Sequence, residues 1–155
     1  MAAAMTSNPA SLLRRITRVA LCNWEWSAWG RMGASLVRRL MRGGGHSCVV
    51  YDVNPAAVSQ LEAEGATGAA SLEEFVAHLD GPRAIWLMLR PQSSTRLDAL
   101  VPLLSGGGDT VIDGGGNSYY RDDITRAQKL AESDLHYVDC GTSGGVWGGW
   151  TAATA

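Results

Sequence analysis

Short apolar runs alternate with amphipathic segments along most of this chain, and no other feature restricts the fold as strongly. The apolar runs are brief and rich in β-branched residues, which is typical of buried strands. They read SCVVYDV, RAIWLML, DTVID and LHYVD. The segments between them have helical periodicity, and strands joined by helices pair in parallel through right-handed crossovers. The pattern therefore predicts one α/β domain with a doubly wound, Rossmann-like parallel sheet.

The composition excludes several classes of protein. The 155 residues are 46% hydrophobic and 18% charged, and the formal net charge is −2, which gives no electrostatic basis for binding nucleic acid. Three cysteines without a CxxC motif predict neither a disulfide framework nor a metal site. No apolar run approaches the length of a membrane span. We therefore expect a cytoplasmic protein in a reducing compartment, with no membrane or nucleic-acid partner.

Two glycine-rich turns follow the last two predicted strands, and each carries small polar residues. The first contains Asn117 and Ser118, and the second contains Thr142 and Ser143. In open α/β sheets the carboxyl ends of the strands form the edge where ligands bind. Glycine allows the backbone to approach a ligand closely. One such turn is most often a simple connection, but two of them at the same edge predict a ligand site.

A partial dinucleotide-binding fingerprint begins at Gly30. Gly30-Arg31-Met32-Gly33 opens a helix, and Asp52 ends the next strand about 20 residues later. A helix N-terminus suits a pyrophosphate, and an acid at this distance favours NAD and repels the 2′-phosphate of NADP. However, Ala28 stands where the motif has its first glycine, and the preceding CNWEWS is not an apolar strand. Taken alone, this motif is more typical of an ordinary helix-capping turn.

Several segments, in their order, resemble the N-terminal domain of decarboxylating 6-phosphogluconate dehydrogenase, in particular its shorter NAD-type bacterial branch. These segments are GRMGASLVRRLMRGG, CVVYDVNPAAV, EGATGAASLEE, DGGGNSYYRDDI and HYVDCGTSGGVWG. The resemblance covers roughly residues 30–148. The NSYY and TSGGVWG motifs are its most specific parts, because related hydroxyisobutyrate dehydrogenases usually lack NSYY.

The resemblance implies a role for individual residues. The pyrophosphate would lie along the first glycine turn, the adenosine ribose on the acid after the second strand, and the nicotinamide and sugar acid at the two polar turns. The implied cofactor-binding residues are Gly30, Arg31, Met32, Gly33, Asp52, Leu89 and Asn117. The implied substrate-binding residues are Asn117, Ser143, Gly144 and Gly145. The implied cofactor is NAD, and NADP is disfavoured by Asp52.

The resemblance also implies the chemistry. The family oxidises 6-phosphogluconate by hydride transfer to the nicotinamide, and the product loses CO₂ to give ribulose 5-phosphate in the pentose phosphate pathway. A Lys base and a Glu acid of the family lie beyond the TSGG turn, on a following helix. A large helical domain then completes the substrate site and the family's oligomer. We therefore expect no catalytic residue in this chain, and an inactive fragment of a dehydrogenase.

The departures from the family share one form. Cys22–Trp29 permits a codon choice that, one base earlier, reads Met-Gln-Leu-Gly-Met-Val-Gly-Leu-Gly, which resembles the family's first strand and its missing glycine. Gly149–Ala155 permits a similar shift to Leu-Asp-Gly-Gly-Tyr-Cys. The hypothesis is a frameshifted and truncated gene: residues 1–29 an atypical leader, 30–148 the cofactor domain and 149–155 an aberrant tail. We then expect a disrupted first strand, weak or absent NAD binding and no turnover.

Two other functions remain open at this point. A stand-alone NAD-binding module would bind NAD tightly without turnover. Another β-hydroxyacid dehydrogenase would act on a small acid, and its further sequence would lack ligands for the phosphate of 6-phosphogluconate.

Overall fold

Six strands, five α-helices and one 3-10 helix follow one another in the computed structural model, which describes residues 18–23, 28–44, 46–88, 94–104, 107–114 and 119–141. The strands are β1 (Arg18–Asn23), β2 (Ser47–Asp52), β3 (Thr67–Ala69), β4 (Ala84–Met88), β5 (Thr110–Asp113) and β6 (His136–Asp139). The α-helices are α1 (Ala28–Gly44), α2 (Pro55–Ala63), α3 (Leu72–Ala77), α4 (Ser94–Leu100) and α5 (Tyr120–Ala131). The 3-10 helix, Val101–Leu103, directly continues α4.

All six strands belong to one parallel sheet in the order β3-β2-β1-β4-β5-β6. From β1 the chain moves outward through β2 to β3, crosses back, and then moves outward on the other side through β4 and β5 to β6. Leu21 in the central strand is in register with Val50 on one side and Trp86 on the other. This order confirms the predicted doubly wound sheet and places its topological switch point between β1 and β4.

The first strand differs from the expectation. We expected residues 1–29 to form a leader and the first strand to be disrupted, but Arg18–Asn23 forms β1 at the centre of the sheet. Val19, Ala20 and Leu21 supply the apolar run, and it ends before the Trp-rich segment. A central strand satisfies backbone groups on both neighbours, and leaving β2 and β4 unpaired would expose them. An apolar stretch upstream of the expected position therefore fills the gap.

The two faces of the sheet carry separate apolar cores. On one face, α3, α4 and α5 bury a cluster around Phe75, Ile85 and Leu130. On the other, α1 and α2 bury a cluster around Val37, Val50 and Leu61. The predicted apolar stripe of α1 packs into this second cluster; it consists of Met32, Leu36, Val37, Leu40 and Met41. None of the described helices combines the length and hydropathy that a membrane span requires.

Two predicted helix caps fix the turns at the edge of the sheet. The Asn54 side chain accepts a hydrogen bond from the Ala56 N–H at 3.1 Å, with Pro55 at the start of α2. Ser71 Oγ accepts from the Glu74 N–H at 3.1 Å, while Glu74 Oε2 accepts from the Ala70 N–H at 2.7 Å. The second pair resembles a capping box. It differs in that the Glu74 carboxylate accepts from the N–H of Ala70, one residue before the Ser71 cap. These caps hold the helices that follow β2 and β3.

Candidate functional site

The start of α1 lies at the switch point of the sheet. β1 ends at Asn23, which is in register with Asp52, and α1 begins at Ala28. The helix is 17 residues long and has no acidic residue in its first turn. Its unpaired N–H groups and partial positive charge therefore favour an anion. The helix begins before Gly30 rather than at it, and Gly33 is buried within it.

Asp52 is the last residue of β2 and is in register with Asn23 at the end of β1. Its Oδ1 accepts a hydrogen bond from the Asn54 N–H at 2.8 Å. Its Oδ2 accepts none from the part of the chain that the structure describes. The carboxyl is half-buried, and burial raises its pKa although the Asn54 N–H opposes the shift. One oxygen is thus fixed by the backbone and the other is available to a ligand hydroxyl.

A buried polar cluster lies at the opposite half of the same edge; we call Asp113, Asp123, Arg126 and Tyr137 the tyrosine cluster. The Tyr137 hydroxyl is 3.0 Å from Asp113 Oδ2 and 3.0 Å from Asp123 Oδ1. Arg126 Nη1 lies 3.1 Å from Asp123 Oδ1 and 3.7 Å from Asp113 Oδ2. Asp113 and Asp123 are both buried. The cluster joins β5, α5 and β6.

Burial and the charges within the tyrosine cluster shift two pKa values. Burial, reinforced by Asp113, raises the pKa of Tyr137 well above its ordinary value, so its hydroxyl stays protonated. Burial acts to lower the pKa of Arg126, but Tyr137 and the two carboxylates outweigh it and the pKa is raised. Sequence analysis missed this cluster, because its members are far apart in the chain. The spacing of Asp123 and Arg126 on one helix face was its only local signal.

Backbone hydrogen bonds hold the ends of β4, β5 and β6 in line. The Gly114 N–H donates to the Leu87 carbonyl at 2.8 Å, and the Cys140 N–H donates to the Asp113 carbonyl at 2.9 Å. Gly114 also lies against the Trp86 indole, where a β-carbon would collide with Nε1. The turn that leaves β5 therefore starts at a position that only glycine fits without a shift.

The predicted site residues are placed as follows. Gly30, Arg31, Met32 and Gly33 lie in the first two turns of α1, and Asp52 is the last residue of β2. Met32 packs against the apolar cluster on this face of the sheet. Five other predicted residues lie outside the described part of the chain; they are Leu89, Asn117, Ser143, Gly144 and Gly145. Among the described residues, no group of His, Cys, Asp and Glu side chains could hold a metal ion.

The donors and acceptors at this edge fit a dinucleotide. A helix N-terminus without acids matches a pyrophosphate, and a carboxylate with an available oxygen matches a ribose hydroxyl. Both lie on one side of the switch point, and the aligned ends of β4, β5 and β6 lie on the other. A dinucleotide binds across such a crevice, with one half on each side.

Comparison with known proteins agrees with this geometry. Residues 28–154 match the family described as the NAD binding domain of 6-phosphogluconate dehydrogenase. The match begins at the start of α1, so β1 lies before it. A Haloferax volcanii protein named as the NAD⁺-dependent, decarboxylating 6-phosphogluconate dehydrogenase is 38% identical over 121 residues. That alignment covers 77% of this chain and 38% of the relative.

Other relatives differ in the cofactor that they are named for. A Bacillus subtilis 6-phosphogluconate dehydrogenase named as NADP⁺-dependent is 37% identical over 110 residues, with coverage of 67% of this chain and 23% of the relative. The solved Plasmodium falciparum 6-phosphogluconate dehydrogenase superposes with a TM-score of 0.70 at 24% identity, covering 85% of this chain and 28% of that one, which shows a common fold. The chain thus spans well under half the length of these relatives.

The family match covers most of the chain, includes α1 and Asp52, and agrees with the strand order and the helix start at the switch point. This chain therefore belongs to the NAD-binding-domain family of 6-phosphogluconate dehydrogenase.

Proposed function

We propose that this chain is the cofactor half of a 6-phosphogluconate dehydrogenase-type enzyme, and that it binds NAD in preference to NADP. One observation carries the proposal: Asp52 is the last residue of β2 and is in register with Asn23, the last residue of β1, which α1 follows. The helix start would hold the pyrophosphate, and Asp52 would accept hydrogen bonds from the adenosine ribose. When bound, the nicotinamide would supply the hydride acceptor.

The preference for NAD follows from charge. A ribose 2′-phosphate would lie beside the Asp52 carboxylate, and two negative groups at this distance repel each other. The turn from Asp52 to Pro55 contains no Lys or Arg that could bind the phosphate. The ordinary pKa of an Asp carboxyl, about 4, lies far below neutral. Burial raises the pKa of Asp52, and we expect its carboxyl to be charged at pH 7.

We propose that NAD binding does not require the family's own first strand. The expectation of weak or absent binding rested in part on the loss of that strand, and Arg18–Asn23 occupies its position. The central strand β1 pairs with β2 and β4 and places Asn23 in register with Asp52. The crevice at the switch point is therefore bordered by β1 on one side and β4 on the other. We expect saturable binding of NAD by this chain.

The substrate and the reaction are proposed from the family. Asn117, Ser143, Gly144 and Gly145 would contact the nicotinamide or 6-phosphogluconate, and Leu89 would lie along the cofactor. The family's Lys base and Glu acid match no position of this sequence, and we assign no acid–base role to its residues. Cys48 and Cys140 are free thiols, which supports a reducing, cytoplasmic compartment.

Asp52→Asn tests the assignment of the cofactor. The amide keeps the acceptor for the Asn54 N–H but loses the charge that the ribose hydroxyls bind. We expect NAD affinity to fall about tenfold, the loss of roughly one charge-assisted hydrogen bond. NADP affinity should fall less or rise, because the repulsion is removed. Calorimetric titration of both cofactors into the wild-type chain and the variant measures the two changes.

Glu132→Gln is the matched control, because it removes one exposed carboxylate just past the C-terminal end of α5. It should leave both affinities unchanged. Equal affinity of the wild-type chain for NAD and NADP, or an Asp52→Asn variant that binds NAD as the wild type does, would overturn the proposal.

A further inference from the structure

We propose that the tyrosine cluster is a positioning device for the nicotinamide half of the cofactor. It would fix the points from which the turns after β5 and β6 leave the sheet. The inference rests on the NAD binding proposed above and extends it to residues that sequence analysis did not identify.

The Tyr137 hydroxyl and the Arg126 guanidinium both bridge the two carboxylates of the cluster. The Tyr137 hydroxyl lies 3.0 Å from one oxygen of each of Asp113 and Asp123, but it can donate only one hydrogen bond at a time. Arg126 Nη1 also lies 3.1 Å from Asp123 Oδ1 and forms an ion pair with Asp113 Oδ2 at 3.7 Å. One hydroxyl and one guanidinium thus tie the two buried carboxylates together, and removing the hydroxyl takes away the link between them that β6 supplies.

The cluster ties three elements together at one edge of the sheet. Asp113 is the last residue of β5, Tyr137 lies in β6, and Asp123 and Arg126 lie in the first half of α5. The chain between Asp113 and Asp123 therefore starts and ends at the cluster. The segment after β6 starts at Cys140, whose N–H is bound to the Asp113 carbonyl.

This edge faces the second half of a dinucleotide. Asp52 and the start of α1 belong to the β1–β2 side of the switch point, which receives the adenosine half. The carboxyl ends of β4, β5 and β6 form the other side, and the nicotinamide half extends towards them. Groups that bind a ligand need a supporting layer of fixed hydrogen bonds. The tyrosine cluster supplies such a layer beneath this side.

The test compares a ligand with a nicotinamide and one without. ADP-ribose carries the adenosine, the pyrophosphate and a second ribose, whereas NADH adds the fluorescent dihydronicotinamide. We expect Tyr137→Phe to leave the ADP-ribose dissociation constant unchanged. The NADH dissociation constant should rise about tenfold, the size expected for misplacing one charge-assisted contact. The fluorescence of bound NADH at saturation should also fall towards that of free NADH.

Three further variants separate positioning from simple stability. Asp123→Ala also breaks the link to α5 and should repeat the Tyr137→Phe result. Asp123→Asn keeps a side-chain oxygen that can accept hydrogen bonds from Tyr137 and Arg126. This variant should therefore retain the wild-type fluorescence. Leu61→Val removes one methylene from α2 in the apolar cluster on the other face of the sheet, which does not include Tyr137. It should lower stability but leave the ratio of the two dissociation constants unchanged.

The outcomes distinguish the two proposals. If the wild-type chain binds neither ligand, both the proposed function and this inference fail. If it binds ADP-ribose and NADH but Tyr137→Phe changes both equally, or neither, the cofactor site stands and the positioning role is overturned. A change in the ratio caused by Leu61→Val would also overturn it, because the effect would then follow stability alone.

Discussion

Asp52 is the residue at which the proposed ribose contact and stability oppose each other. A half-buried carboxylate has lost part of its hydration, and the single Asn54 N–H does not fully replace it. The raised pKa of Asp52 records this cost. Binding groups are often destabilising in this way, because they are arranged for a ligand rather than for the fold.

Asp52→Asn should therefore stabilise the chain at neutral pH. Because the pKa of Asp52 is higher in the folded state, its contribution to stability is present below about pH 4, the ordinary Asp value, and is lost as the pH rises. The variant has no carboxylate to ionise, so it avoids this loss of stability. Its amide oxygen can still accept the hydrogen bond from the Asn54 N–H. Urea denaturation from pH 4 to pH 7 should show the variant gaining relative to the wild type. A variant less stable than the wild type at pH 7 would contradict the account.

Tyr137 gives a second dependence on pH with the same sign. Its pKa is raised in the folded state, so its contribution is present below about pH 10, the ordinary Tyr value, and is lost at higher pH. The free energy of unfolding of the wild type should fall steeply above that pH. Tyr137→Phe should be less stable at pH 8 but should show a shallower fall.

Tyr119→Phe is the control for this pH dependence, because Tyr119 is 57% exposed and belongs to no buried cluster. Its denaturation profile should follow the wild type between pH 8 and pH 11. Identical slopes for Tyr137→Phe and the wild type would show that the cluster does not hold the phenol in its protonated form.

At the scale of elements, the contact between β4 and the end of β5 controls where the turn after β5 begins. Trp86 in β4 packs against Gly114, and its buried indole N–H has no hydrogen-bond partner in the part of the chain that the structure describes. Such a donor is usually costly, since it has lost water without gaining an acceptor. Tight packing of the two strand ends is thus achieved at the expense of one polar group.

Gly114→Ala should lower the free energy of unfolding by about 1–3 kcal/mol, because its β-carbon collides with the indole. Gly141→Ala is the control, since a β-carbon there meets nothing within 4 Å. Adding Trp86→Phe, which removes the colliding nitrogen, should recover part of the loss. Thermal or urea unfolding of the wild type, of Gly114→Ala and Trp86→Phe, and of the double variant completes a double-mutant cycle. Additive effects of the two substitutions would contradict the packing described here.

The elements also show what could be predicted from sequence. The strands β2, β4, β5 and β6 were predicted because each is an apolar run between helix signals. β3 was missed because Thr67–Ala69 is three residues long and contains a glycine. That glycine is required by packing, since a β-carbon at Gly68 would collide with the Glu62 and Val58 side chains.

At the scale of the whole molecule, the location of β1 differs from the one that the family pattern implies, because strand pairing in the sheet determines which segment becomes the central strand. The family pattern places the first strand over the Trp-rich segment, and the structure places it upstream at Arg18–Asn23. The backbone N–H and C=O groups of β2 and β4 need hydrogen-bond partners, and an apolar stretch that can pair with both strands supplies them. The position of Asp52 at the end of β2 was predicted because it follows from a spacing along the sequence. The tyrosine cluster was not predicted, because it depends on contacts that only the folded sheet creates.

The central claim is that Arg18–Asn23 completes a sheet that binds NAD, and hydrogen exchange of these backbone amides tests it most directly. The account predicts that they exchange as slowly as those of β2 and β4, and more slowly still when NAD is added to saturation. Exchange of residues 18–23 at the rate of an unstructured peptide, with or without NAD, would contradict it.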